Sequence, residues 1–147
     1  MSFRFALASI LRLRQSIERQ RVLQLQEANL RLSRARETLT RLDRFLSDSE
    51  QSDSAALSAG RTGAELQFAD VLREHLQHFR LELQADRDRL ELARQQAVAA
   101  YHQAYREREI LETLRARQRH DYQQEQLRRE QQEQDAAYLL QRWHRRS

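Results

Sequence analysis

From Phe68 to Leu114 one residue in every three or four falls on a single stripe, and neither proline nor glycine breaks the run. The stripe consists of Phe68, Leu72, Leu76, Phe79, Leu83, Asp86, Leu90, Ala93, Ala97, Ala100, Ala104, Glu107, Leu111 and Leu114. Alternating steps of four and three average ~3.5 residues, the period that keeps one face of a helix turned toward a partner helix over a long distance. A sheet or a multi-loop domain needs punctuation, and this chain has no proline and only two glycines, Gly60 and Gly63. The pattern predicts an all-α fold: a long two-helix antiparallel coiled-coil hairpin with a C-terminal single-helix overhang.

Composition narrows the functions open to such a fold. With 33% charged and 7% aromatic residues among 147, little is available for a thick core, and a deep pocket is not expected. Cysteine is absent, which removes disulfides and thiolate metal sites. The N-terminal apolar run Ala6 to Leu11 is closed by Arg12 and Arg14, too short for a signal-peptide core or a membrane span, so a cytoplasmic protein is expected.

A first arm is expected over about 5–46, with Leu7, Ile10, Leu13 and Ile17 on one stripe, then Val22, Leu25, Ala28, Leu32, Ala35, Leu39, Leu42 and Leu46. The step from Ile17 to Val22 displaces the apolar face, and the seam is expected to loosen or change neighbour there. The serine-rich segment 47–63 holds both glycines and reads as the turn, with Asp48, Ser49 or Ser52 as helix caps and Gly60 or Gly63 as a left-handed residue.

The second arm covers about 64–143 and is expected to be unpaired beyond about 114, within one elongated domain spanning 1–147. Placing Leu46 opposite Ala64 brings Phe5 opposite Tyr105. After Leu114 the stripe fails, since 115–135 holds only Ala116, Tyr122 and Leu127 as apolar side chains. All 26 basic residues are arginine, and their placement gives the first arm a surplus of positive charge and 64–114 a surplus of negative charge. Opposite charge favours folding back within one chain over pairing of like arms, so a monomer is expected.

Searching for chemistry yields few candidates. Without lysine and with Gly60 and Gly63 alone, no glycine-rich phosphate loop can be written. His75 and His78, near Glu74 and Glu82, could in principle hold a metal on one helix face, but the pattern fits a solvated edge better, and no metal or cofactor is expected. Acids such as Asp86, Asp88 and Glu91, or Glu107, Glu109 and Glu112, lack the concave pocket that general acid-base catalysis needs, so no enzyme activity is expected. Asp86 and Glu107 read as polar seam positions that fix register. Arginines are mixed with nearly as many acids, with no block of five like charges, which argues against nucleic acid as a partner. The terminal cluster 136–143, with Tyr138, Leu139 and Trp143, lies on the overhang and reads as a docking patch, because Tyr, Trp and Arg dominate binding hot spots.

The opening Phe3-Arg4-Phe5-Ala6-Leu7, followed by Ile10-Leu11-Arg12-Leu13-Arg14, resembles the start of the flagellar export protein FliJ family. Glu109-Ile-Leu-Glu-Thr-Leu-Arg115, and the arginine and glutamine run through Tyr122 and Arg128 to Asp135, is similar to that family's C-terminal helix. The lack of lysine near Leu111 to Leu114 is a departure from it. The resemblance implies the central stalk of the flagellar type III export apparatus, peripherally associated with the cytoplasmic face of the membrane. It further implies that Phe3, Phe5, Leu7, Arg12, Arg14, Tyr138, Leu139 and Trp143 meet the export ATPase hexamer. By the same resemblance Leu39, Leu42, Phe45, Phe68, Leu72 and Phe79 face the cytoplasmic domain of the export gate, and export chaperones are further partners. The alternatives are the stalk of a virulence type III secretion ATPase and a generic coiled-coil scaffold.

Overall fold

A computed structural model describes residues 2–147, apart from the side chains of Leu57 and Ser58. Helix α1 runs Ala8–Ser58, helix α2 runs Gly63–Arg146, and no strand occurs among the described residues. The two helices lie against each other as an antiparallel hairpin, the all-α architecture that the 3.5-residue stripe implies.

The connection is shorter than the serine-rich segment suggests, for α1 continues through residues 47–58. It stops at Gly60, whose φ of 87° closes a left-handed cap. The Arg61 amide donates to the Ala56 carbonyl at 3.3 Å and the Ala59 amide donates to the same oxygen at 3.1 Å, which satisfies a carbonyl the helix leaves free at its end. Helix α2 then begins with Thr62 as its cap: the Thr62 hydroxyl accepts from the Glu65 amide at 3.4 Å. Of the caps expected from sequence, Gly60 serves; Gly63 opens α2 without a positive φ, and Asp48, Ser49 and Ser52 lie inside α1. Asp53 explains why the polar stretch stays helical, since its carboxylate takes Arg61 from the connection at 2.9 Å and Arg73 from α2.

Because α1 continues through most of the serine-rich stretch, the register moves as well. Arg14 reaches Glu107 at 2.5 Å, and the Phe3 ring lies 5.6 Å from that of Tyr122, so Phe5 sits well beyond Tyr105 along α2. Pairing therefore continues past Leu114 to Tyr122, and the fully exposed part of α2 begins at Leu127.

Contacts cluster into two units, one of Met1–Arg19 with His102–Ser147, the other of Gln20–Tyr101. Within the second unit the covered stripe on α2 is Leu66, Ala69, Arg73, Leu76, Arg80, Leu83, Arg87, Leu90, Arg94, Ala97 and Tyr101. Leucine or alanine occupies one seam position of each heptad, and from Arg73 to Arg94 an arginine occupies the other. The stripe read from sequence shares Leu76, Leu83, Leu90 and Ala97 with it. Phe68, Leu72 and Phe79, however, are 72%, 44% and 47% exposed, and Ala93 is exposed too.

The physical reason is the arginine stem. Its methylenes cover apolar surface while the guanidinium reaches a carboxylate at the rim. Arg80 takes Asp43 of α1 at 2.5 Å, Arg73 takes Asp53, and Glu91 accepts from Arg94 at 2.5 Å and from Arg36 of α1 at 3.1 Å. Asp86, by contrast, pairs with Arg89 on its own helix and does not set register across the hairpin. On α1 the facing residues are Leu25, Ala28, Leu32, Ala35, Leu39, Leu42 and Leu46, with Leu32 and Leu39 buried.

The first unit continues the pattern in charged form. Ala104 and Leu11 are buried, and beside them Arg108 carries Glu18, Glu109 and Glu112. The boundary between the two units, at Arg19 and Gln20, falls within the displaced apolar step expected between Ile17 and Val22; in the first unit Arg14 and Glu18 reach α2 as ion-paired residues. Glu107, by taking Arg14, does span the two helices, as a register-fixing residue must.

Two outcomes test this packing. Leu32, 2% exposed, should cost about 2–3 kcal/mol when changed to Ala, whereas Phe68→Ala, at 72% exposed, should cost less than about 0.5; equal losses in urea unfolding would refute the seam. The Arg94 hydrogen bond, ahead of the charges of Arg94 and Arg36, holds the Glu91 carboxyl below its ordinary value of 4.5. A lowered folded value means stability that is present above pH 4.5 and lost as pH falls through the folded value. The melting temperature should drop over that acid window, and Glu91→Gln should flatten the drop in melts followed by circular dichroism.

Candidate docking surfaces

Neither unit offers enclosed chemistry. Among the described residues no group of three His, Asp or Glu side chains could hold a metal ion; His78 approaches only Glu82, at 3.6 Å, and His75 stands exposed. No helix of the described residues is long and apolar enough to cross a membrane. What the chain presents instead is apolar surface in specific places.

In the second unit that surface follows from the arginine seam. Because Arg73 and Arg80 occupy seam positions, Leu72 and Phe79, each one residue earlier, are turned outward. Phe45, 54% exposed on α1, lines a groove with Phe68 and Leu72 from α2, and Ser49, Ser52 and Ala64 contribute to its walls. Of the six residues expected to face the export gate, Phe45, Phe68 and Leu72 are thus brought together and exposed. Phe79 is exposed, Leu42 is half-buried, and Leu39, 7% exposed, is spent on the seam and offers little to a partner.

The residues expected to meet the ATPase fall into two groups. Phe5 is buried, Phe3 and Leu7 are half-buried, and Arg14 is engaged by Glu107, so these hold the first unit together. Arg12 is exposed, and so are Tyr138, Leu139 and Trp143 at 63%, 62% and 71%. The Trp143 ring lies edge-on to His144, with centroids 6.4 Å apart.

Sequence reasoning missed a further apolar surface in this unit. Tyr105, Ile110 and Leu114 line a shallow groove on α2, with the Arg108 guanidinium 5.0 Å from the Tyr105 ring, and Ile10 and Leu13 are exposed on α1. Tyr105 and Ile110 lie out of phase with the stripe read from sequence, whereas Ile10, Leu13 and Leu114 belong to the stripes expected to form the seam. Out-of-phase residues such as Tyr105 and Ile110 carry little signal, because single exposed apolar residues are common on protein surfaces.

Against this geometry the family comparison is decisive: the model of the flagellar FliJ protein family matches residues 3–147. The chain belongs to the FliJ family. The match takes in both units, including the N-terminal Phe3 and the exposed helix end with Trp143. No curated protein and no solved structure matches the chain. Membership in the FliJ family gives the chain a part in flagellum biogenesis and protein export, as a component of a non-catalytic family.

Trp143 supplies a direct check on the exposed helix end, being the single tryptophan of the chain. Its fluorescence in the isolated protein should be that of indole in water and open to quenching by iodide. A blue-shifted, shielded emission in dilute solution would mean that the 136–143 cluster is already covered.

Proposed function

We propose that this FliJ-family chain is the central stalk of the flagellar type III export ATPase, a non-enzymatic, cytoplasmic protein that couples the ATPase hexamer to the membrane-embedded export gate. The observation that carries this reading is the division of exposed apolar surface. Phe45, Phe68, Leu72 and Phe79 stand free in the unit that contains the turn, while Tyr138, Leu139 and Trp143 stand free in the unit that contains both termini. A protein with one docking task has no use for two such sets, and exposed aromatic clusters of this kind mark binding surfaces.

In this reading the unit of both termini engages the ATPase ring, and the aromatic groove near the turn meets the gate protein's cytoplasmic domain. Export chaperones are further partners, and the chain alone is a monomer. A stalk has to present different side chains to successive ring subunits. Two helices of unlike charge, with arginine surplus concentrated near the termini, supply that asymmetry.

Purified ATPase and gate cytoplasmic domain, each mixed with the full chain and with variants, test the assignment. Phe68→Ser/Leu72→Ser/Phe79→Ser should weaken gate binding by about tenfold or more and leave ATPase stimulation intact. A chain ending after Gln126 keeps the Phe3–Tyr122 contact yet lacks the exposed helix, and it should lose ATPase stimulation while still binding the gate. Full stimulation by the shortened chain, or unchanged gate binding by the triple variant, would overturn the corresponding half of the proposal.

A further inference from the structure

Many of the arginines in this protein are matched by a carboxylate. The seam arginines of both units reach carboxylates, and in the first unit Arg108 alone holds Glu18, Glu109 and Glu112, while Arg14 takes Glu107. Among the arginines without such a pair, three share one groove. Arg4, Arg12 and Arg115 line a single groove in the first unit, and among the described residues none of the three has an ion-pair or hydrogen-bond partner. The nearby polar side chain that could answer them, Gln15, is neutral and donates its amide to Glu112 at 3.2 Å. The groove floor is apolar, formed by Phe3, Phe5, Ala8 and Leu11.

The geometry points to a binding site for an acidic peptide segment, one that sets an apolar side chain on the Phe3–Leu11 floor and its carboxylates against Arg4, Arg12 and Arg115. Each part of the site selects part of that ligand. Guanidinium groups pair with carboxylates through two parallel hydrogen bonds, and a site of three leaves a neutral or basic segment without compensation. An apolar floor gains nothing from a bare inorganic anion but does gain from a leucine or phenylalanine side chain.

Nucleic acid fits less well. Phe5 is buried and the ring of Phe3 is taken by Tyr122, so neither offers a free face for stacking a base. The carboxylates that could have neutralised the trio from within are gathered on Arg108 and Arg14, which leaves the groove positive. This site deepens the proposed ATPase contact and depends on that reading only for the identity of the partner.

Fluorescence anisotropy with the full chain tests it, using three synthetic helical peptides that share one leucine face and carry flanking Glu, Gln or Lys. The Glu peptide should bind about tenfold more tightly than the Gln peptide and weaken as salt is added. Arg4→Gln/Arg12→Gln/Arg115→Gln should lose about that factor while keeping wild-type helix content, and Arg142→Gln/Arg145→Gln/Arg146→Gln should bind as the wild type does. The site is refuted if Glu and Gln peptides bind alike or if both triple variants lose equally. It is equally refuted if phosphatidylglycerol vesicles or a single-stranded oligonucleotide bind more tightly than the Glu peptide and lose binding in the groove variant. Stimulation of the ATPase is measured in parallel. A groove variant that loses the peptide yet stimulates fully keeps the site and removes the ATPase as its partner; loss of both assigns the groove to that contact.

Discussion

A guanidinium on a methylene stem is the piece on which this fold depends. A two-helix layer has only one interface, and a seam built wholly of leucine would leave its edges apolar and its register weakly specified. Placing Arg73, Arg80 and Arg94 at heptad intervals covers the seam with hydrocarbon and leaves the charge at the rim, where Asp53, Asp43 and Glu91 wait. Each pair is partly exposed and individually worth little. Their joint effect is to make one alignment of the helices better than its neighbours, because a slip moves every arginine away from its acid at once.

The same substitution explains which aromatic residues are free. Once arginine fills the seam, Phe68, Leu72 and Phe79 have no place in it and must face water. Exposed apolar side chains lower solubility and contribute little to folding, so their retention in a chain with so few aromatic residues is a functional signal. The architecture and its available surface thus have one cause. In the first unit the equivalent choice concentrates acids on Arg108 and leaves Arg4, Arg12 and Arg115 unmatched.

Helix type, antiparallel pairing and the overhang were legible in the sequence because they follow from period, punctuation and charge, which act over many residues and average out local error. Half of the seam was legible for the same reason: Leu76, Leu83, Leu90 and Ala97 are apolar and keep step. The other half was hidden because arginine reads as a solvent residue in any pattern that scores only apolarity. The turn was hidden differently. Serine and aspartate from Ser47 to Asp53 signal a loop, yet Asp53 binds Arg61 and Arg73, and this tertiary pairing overrides weak helix propensity. The α2 cap, Thr62, lies at the edge of the expected segment, and the register shift follows from the continuation of α1 to Ser58. Among the docking residues, sequence named the free aromatics near the turn correctly but could not separate them from Leu39, since burial depends on which neighbour occupies the adjacent phase.

Beyond Leu127 every residue of α2 is exposed, and the helix persists there with no second surface beside it. Its backbone is held only by glutamine, arginine, glutamate and alanine, which favour the helix, and by local pairs such as Arg128 with Glu125 at 3.0 Å. Helix–coil exchange in such a tail runs on a sub-microsecond to microsecond scale, far faster than opening of the paired portion. The tail is therefore a length of chain whose order is on loan from its own composition: it fluctuates at its free end, ready to be captured one turn at a time, and a receptor that closes around it selects a conformation already well populated.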